Sequence, residues 1–239
     1  MSLLEFEHVC KRGTGGGGPG WVLQRVSLEL ERGEYVVVWG ARGCGRSTLL
    51  RIAAGIESPD SGAVRFEGHD MRAAGVELGE GIGYCLKRLG SGEGRNVLDQ
   101  MLMGLLARGT PQPGARSLAL AALERCELLG RSRAPLADLD GAERVRLAVA
   151  RALASAPRLL IIDEPANGVE LIERDGILLL LRSLADEGIT VLASASEPTS
   201  LSGADRTLAL SDGELRGEPS APLATVLPLH ATARRLAAG

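Results

Sequence analysis

The sequence predicts an α/β fold with a parallel sheet at its core, an N-terminal antiparallel β-subdomain and a helical insert. Apolar residues alternate in residues 4–9 and 22–30, which is typical of two antiparallel strands. Residues 159–162 form an unbroken aliphatic run of the kind that is buried on both faces of a parallel sheet. From about residue 96 to 139, apolar residues recur at three- and four-residue steps, which indicates helices.

A glycine-rich loop follows a short apolar strand at residues 34–39 and precedes a helix that continues through 49–54. Its spacing nearly matches a phosphate-binding loop, in which glycines let backbone N–H groups turn inward and a helix N-terminus faces the anion. A glycine-rich turn without a ligand is the alternative. The predicted nucleotide-binding residues are Gly40, Gly43, Cys44, Gly45, Arg46, Ser47 and Thr48.

Three of these side chains decide what the loop can do. Ser47 is expected to hold Mg²⁺, and the Thr48 hydroxyl can donate to a phosphate oxygen. Arg46 is the mismatch, because a planar guanidinium stands where the motif has a compact ammonium. We therefore expect phosphate binding to survive and tight clamping of a transition state to be weaker.

Composition and hydropathy limit the domain organisation, the location and the partners that we expect. With 45% hydrophobic residues, the chain is expected to form one domain over residues 1–239, with the helical insert at about 88–140 and a tail of unassigned role at about 218–239. No apolar run is long enough to span a bilayer and the N-terminus does not resemble a secretory signal, so a cytoplasmic protein is expected. A net charge of −3 and 3% aromatic residues argue against a nucleic-acid partner.

The other elements follow from local patterns. We predict strands at 63–66, at 81–86 ending at Lys87, at 190–195 and at 207–210, helices on either side of residues 110–114 and at 178–185, and a closing hairpin at 212–213. A further helix begins near Asp140, where Glu143 three residues later resembles a capping box. Asp163 and Glu164 end the aliphatic strand, at the edge where ligands of parallel sheets bind.

In this order, the motifs resemble those of the nucleotide-binding subunit of ABC transporters over nearly the whole chain. Residues 163–165 match the Walker B end, and the loop at 40–48 matches Walker A. Within the family, residues 55–62 and 164–170 look most like the lipoprotein-release and macrolide-export types. The signature segment is Leu139, Asp140, Gly141, Ala142 and Glu143.

The resemblance implies a P-loop NTPase core and a head-to-tail dimer with two ATP molecules, each bound between one subunit's phosphate loop and the other's signature. It also implies a membrane permease partner and a position at the inner face of the cell membrane. Whether the dimer is a homodimer or a heterodimer stays open. Ser47 and Asp163 then organise Mg²⁺, and Glu164 acts as the general base.

Several positions depart from the family pattern. Lys87 stands where the family has the glutamine that links Mg²⁺ to the permease, and Ser196 occupies the position of the switch histidine. Asp140 replaces the signature serine, and two unit charges about 4 Å apart repel by roughly 4 kcal/mol at an effective dielectric near 20. Trp21 is predicted either to stack on adenine or, as a hairpin residue, to cover the core.

The predicted function is that of an ATP-binding subunit that couples Mg-ATP binding and weak hydrolysis to a permease, with Asp140 as the largest obstacle to turnover. One alternative is an active homodimeric ATPase in which Arg46 and Lys87 together supply the missing positive charge. Another is a non-catalytic interaction module that keeps the fold for docking.

Overall fold

The computed structural model describes residues 2–13, 20–72, 81–85, 95–197 and 200–218. Lys87, the start of the predicted insert and most of the predicted tail lie outside these residues. None of the described helices is long and apolar enough to cross a membrane.

The N-terminal sheet has four strands in the order β2-β1-β4-β5. They are β1 (Ser2–Arg12), β2 (Trp21–Glu31), β4 (Ser61–Phe66) and β5 (His69–Asp70). Each neighbouring pair is antiparallel, so the predicted antiparallel subdomain is confirmed.

The second sheet has six strands in the order β10-β9-β3-β8-β7-β6. They are β3 (Tyr35–Trp39), β6 (Ile82–Cys85), β7 (Leu159–Ile162), β8 (Thr190–Ala195), β9 (Arg206–Ser211) and β10 (Glu214–Glu218). All neighbouring pairs are parallel except β9 with β10, which form the hairpin predicted at residues 212–213. The parallel sheet is therefore confirmed.

Five α-helices complete the described part of the chain: α1 (Arg46–Ala53), α2 (Val97–Ala107), α3 (Gln112–Arg125), α4 (Gly141–Leu153) and α5 (Leu171–Asp186). Two predicted boundaries were wrong. Residues 112–114 belong to the first turn of α3, where proline is tolerated because that N–H has no partner within the helix. Helix α5 begins at Leu171, seven residues before the predicted start at 178. Because Leu171 and Ile172 are exposed, the first turns of α5 have no buried apolar face from which the helix could be predicted.

The parallel sheet separates two apolar cores. Val36 and Val38 of β3 face one core, which also holds side chains of α1 and the N-terminal sheet. Tyr35 and Val37 alternate with them and face the other core, which holds side chains of α2 to α5. This arrangement fixes the carboxyl edge of the sheet, where β3, β7 and β8 end close together.

Candidate nucleotide-binding site

The glycine loop connects the end of β3 to the start of α1, as the sequence predicts. Gly45 caps α1 with φ +109°, and a Cβ there would lie 2.7 Å from the Val22 carbonyl oxygen, so only glycine fits. Gly43 also has a left-handed φ of +84° but has open space around it. Gly40 packs against the Leu210 carbonyl, and its missing Cβ would lie 2.8 Å from the Cys44 Sγ.

The predicted metal-organising residues meet at the foot of α1. The Ser47 hydroxyl lies 2.7 Å from Asp163 Oδ2, across 116 positions of sequence. Ser194 donates to Asp163 Oδ1 at 2.5 Å and accepts from the Glu164 backbone N–H at 2.9 Å. Ser194 was not predicted as a site residue, although a hydroxyl within the buried strand β8 indicates that it has a polar partner.

Arg46 turns inward from the first position of α1 and is almost fully buried. Its Nη2 lies 2.7 Å from Glu164 Oε1, with the two side chains 5% and 10% exposed. Its Nη1 donates to the Ala195 carbonyl at the end of β8. Asn167 Nδ2 donates to the other oxygen, Glu164 Oε2, at 2.7 Å. Both oxygens of the predicted base therefore already accept hydrogen bonds.

A cavity of about 390 Å³ lies over the loop and α1. Ser47 and Thr48 line it together with two carboxylates, Glu57 and Glu164, which are outnumbered by arginines. The arginines that line it are Arg12, Arg42, Arg46 and Arg51. A basic cavity at a helix N-terminus suits phosphate groups electrostatically.

The signature segment starts α4 and lies apart from this cavity. Asp140 caps the helix by accepting the Glu143 N–H at 2.8 Å, and Glu143 Oε2 accepts the Asp140 N–H in return, which confirms the predicted capping box. A Cβ on Gly141 would lie 2.5 Å from the Gly168 carbonyl oxygen, so the segment packs closely against the loop after Glu164. Leu139 and Ala142 are buried beneath it. None of residues 139–143 is among the described residues that line the cavity.

Two further predicted positions lie at the edges of the site. Ser196 directly follows β8 and is exposed. Trp21 is 45% exposed, so the expectation that it covers the core was wrong. Instead, the Arg12 guanidinium lies 4.9 Å over the centre of its ring.

A glycine loop between a parallel strand and a helix, with a serine and an aspartate meeting beside it, defines a P-loop nucleotide-binding protein. Residues 23–167 match the family model of the ABC transporter. The chain belongs to the ABC transporter family and is an ATP-binding subunit, as the sequence motifs predict. Subunits of this family bind ATP, pair as dimers and have the general role of coupling to a membrane permease.

Individual relatives support this membership. The cell division ATP-binding protein FtsE of Escherichia coli K12 is 33% identical over 220 residues, which cover 90% of this chain and 98% of FtsE. The lipoprotein-releasing system ATP-binding protein LolD of Paramagnetospirillum magneticum is 33% identical over 81% of this chain and 88% of its own length. A dimeric structure of the ATP-binding cassette MJ0796 bound to ADP and Pi superposes with a TM-score of 0.81 at 25% identity, covering 91% of this chain and 98% of the cassette.

Proposed function

We propose that the protein binds Mg-ATP at the loop of residues 40–48 and hydrolyses it slowly. The observation that carries this proposal is the buried contact between Arg46 and Glu164. A general base needs a free lone pair on its carboxylate to accept a proton from water. Arg46 and Asn167 each donate to one Glu164 oxygen, which leaves a second lone pair on each oxygen. The positive charge of Arg46 favours the ionised carboxylate, so the transfer of a proton from water to Glu164 is slowed while this contact holds.

The phosphate loop itself is suited to binding. Backbone N–H groups and the N-terminus of α1 attract phosphate oxygens without a lysine side chain. Gly43 and Gly45 hold the left-handed conformations that such a loop requires. The proposed binding residues are those predicted from the sequence, with Arg42 and Arg51 as additional cations in the cavity lining.

Ser47 and Asp163 fit a magnesium site. A hydroxyl and a carboxylate oxygen that meet at 2.7 Å are hard oxygen ligands, and Mg²⁺ usually combines one or two protein oxygens with substrate phosphates and water. When bound, Mg²⁺ neutralises charge on the phosphates. Ser194 and Ser47 hold the Asp163 carboxylate in place for this role.

The second proposed obstacle is Asp140 at the partner subunit's signature in a head-to-tail dimer. The repulsion of about 4 kcal/mol from a phosphate about 4 Å away would be offset if a nearby arginine were available. Arg144 instead donates to the Leu139 and Ala137 carbonyls at 2.9 and 3.1 Å. Arg146 forms an ion pair with Glu127 at 2.8 Å. Arg146 is therefore neutralised by Glu127, whereas Arg144 is bonded to neutral carbonyls and its charge offsets part of the repulsion at Asp140.

The proposed setting is a single-domain subunit, as a homodimer or heterodimer, on a membrane permease at the inner face of the cell membrane. The family membership and its relatives support this setting. Co-purification of a permease from membranes tests it, and repeated recovery of soluble partners alone would contradict it.

Calorimetry of the purified protein with Mg-ATP tests the binding site. We expect binding at or below millimolar nucleotide, and loss of binding in Gly45→Ala, where the added Cβ meets the Val22 carbonyl. Gly68→Ala is the matched control, because Gly68 also has a positive φ of +80° in open space but lies in the turn between β4 and β5 and does not line the cavity. No heat of binding at millimolar Mg-ATP would favour the non-catalytic interaction module instead.

A further inference from the structure

A second, smaller cavity lies away from the phosphate loop, where β6 meets α2 and α4. Its volume is about 140 Å³, and it shares no described lining residue with the cavity over the loop. Its charged side chains are Arg108, at the end of α2, and Arg151 of α4, and its hydroxyl side chains are Tyr84 and Ser155. No carboxylate is among the described residues that line it.

Within the described ranges, these two arginines have no acidic partner, whereas other arginines of this chain do. Arg125 pairs with Glu187, and Arg174 lies 2.9 Å from Glu197. Among the described residues, Arg108 donates to the neutral Ser155 hydroxyl and to no carboxylate. The Arg151 guanidinium has no hydrogen bond or ion pair with any side chain in the described part of the chain, although it is partly buried.

The helix ends do not account for both charges. Helices α2 and α4 end at Ala107 and Leu153, and each C-terminus carries a partial charge of about −0.5. Two guanidinium groups therefore leave a surplus of about one positive charge beside the cavity. Burial lowers the pKa of Arg151; the Cys85 thiol opposes this, and the neighbouring charge of Arg108 adds to it. An anion in the cavity would relieve both the burial cost and the repulsion between the two cations.

We infer that this cavity is a binding site for one small oxyanion, a carboxylate or a phosphate group, held by Arg108, Arg151 and Ser155. Guanidinium groups bind both kinds of oxyanion through paired N–H donors. The volume of 140 Å³ is close to that of a cavity of about 150 Å³ that holds benzene, so one such group fits and a nucleotide does not. The oxyanion comes either from an acidic side chain of a permease partner or from free phosphate. The first of these sources rests on the proposed function.

Arginine modification by phenylglyoxal, mapped by peptide mass spectrometry on the full chain, tests the site. Two probes are used, inorganic phosphate and N-acetylglutamate α-amide, whose side-chain carboxylate is free. Each is compared with chloride at equal ionic strength. We expect at least one probe at about 10–50 mM, below the physiological ionic strength of about 150 mM, to slow modification of Arg108 and Arg151 several-fold. Arg116, an exposed arginine on α3, is the internal control and should react at an unchanged rate.

The two probes separate the sources of the oxyanion. Protection by phosphate alone assigns the site to a free anion. Protection by N-acetylglutamate α-amide, and by a co-purified permease, assigns it to an acidic side chain of that partner. Arg108→Gln and Arg151→Gln should each abolish protection of the remaining arginine while leaving Mg-ATP affinity within twofold of wild type. Unchanged reactivity of both arginines with every probe would overturn the inference. Loss of Mg-ATP binding in the wild-type protein would instead contradict the proposed function, so the two failures are distinguishable.

Discussion

We expect the buried pair of Arg46 and Glu164 to make a large contribution to the free energy of unfolding, and the contribution of each side chain to depend on the other. Arg46→Met removes the guanidinium that pairs with the Glu164 carboxylate, a side chain that is only 10% exposed. Breaking a buried pair in this way costs about 3–5 kcal/mol. For a chain of this length, each kcal/mol lowers the melting temperature by about 2–4 °C, so even the lower figure gives a decrease of about 6–12 °C.

A double-mutant cycle on the nucleotide-free protein measures the pair itself. Urea unfolding, followed by circular dichroism, is carried out on Arg46→Met, Glu164→Gln and the double variant. We expect the double variant to be more stable than the sum of the single changes predicts, with a coupling energy of about 2 kcal/mol or more.

The exposed pair of Arg125 and Glu187 is the matched control. These side chains are 41% and 55% exposed, and pairs of this kind contribute about 0–1 kcal/mol. If the coupling energy of the buried pair did not exceed that of this control, Arg46 would not hold Glu164 in solution, and the proposed cause of slow hydrolysis would fail.

Three other outcomes follow from the described contacts. Asp140→Ala should lower the free energy of unfolding by about 1 kcal/mol through loss of the helix cap, whereas Asp140→Ser should be nearly neutral; equal losses in urea unfolding would refute the capping role. Gly45→Ala should destabilise the protein more than Gly43→Ala, because both have positive φ but only Gly45 lies against a carbonyl; thermal melts that rank them the other way would contradict this geometry. Burial raises the pKa of Cys126 to about 12, so the unfolded chain loses this proton near pH 9 while the folded chain keeps it. The free energy of unfolding should therefore fall from about pH 9 to 12, by up to about 1.4 kcal/mol per pH unit for this thiol, and Cys126→Ala should flatten the slope; an unchanged slope would refute the assignment.

Much of the fold could be predicted because its signals are local. Two such signals come from residues that are close together in the sequence: the aliphatic run of residues 159–162 and the capping box of Asp140 and Glu143. The structure has both where they were expected. The early turns of α5 were missed because Leu171 and Ile172 are exposed, so no apolar periodicity marks them.

The candidate site was predictable by residue type but not by contact. Motif spacing identified Arg46 and Glu164, yet they are 118 positions apart, and nothing in the sequence shows that their side chains meet. Asn167 lies in the segment 164–170 that served only for placement within the family, and Ser194 lies in the predicted strand 190–195. Neither was assigned a role, and only the folded chain brings them against Glu164 and Asp163. The contacts that bear on catalysis are thus tertiary, which is why a single sequence could not reveal them.

Steady-state ATPase turnover of the purified protein tests the central claim of Mg-ATP binding with slow hydrolysis. We expect the wild-type rate to lie far below 1 s⁻¹, about the lower end of the ordinary enzyme range. Asp140→Ser combined with Arg46→Lys should raise turnover more than either change alone, because both act on the surroundings of one phosphate. Glu164→Gln should abolish the remaining activity. A wild-type turnover of about 1 s⁻¹ or faster, in a preparation whose activity Glu164→Gln removes, would contradict the account and establish an active ATPase.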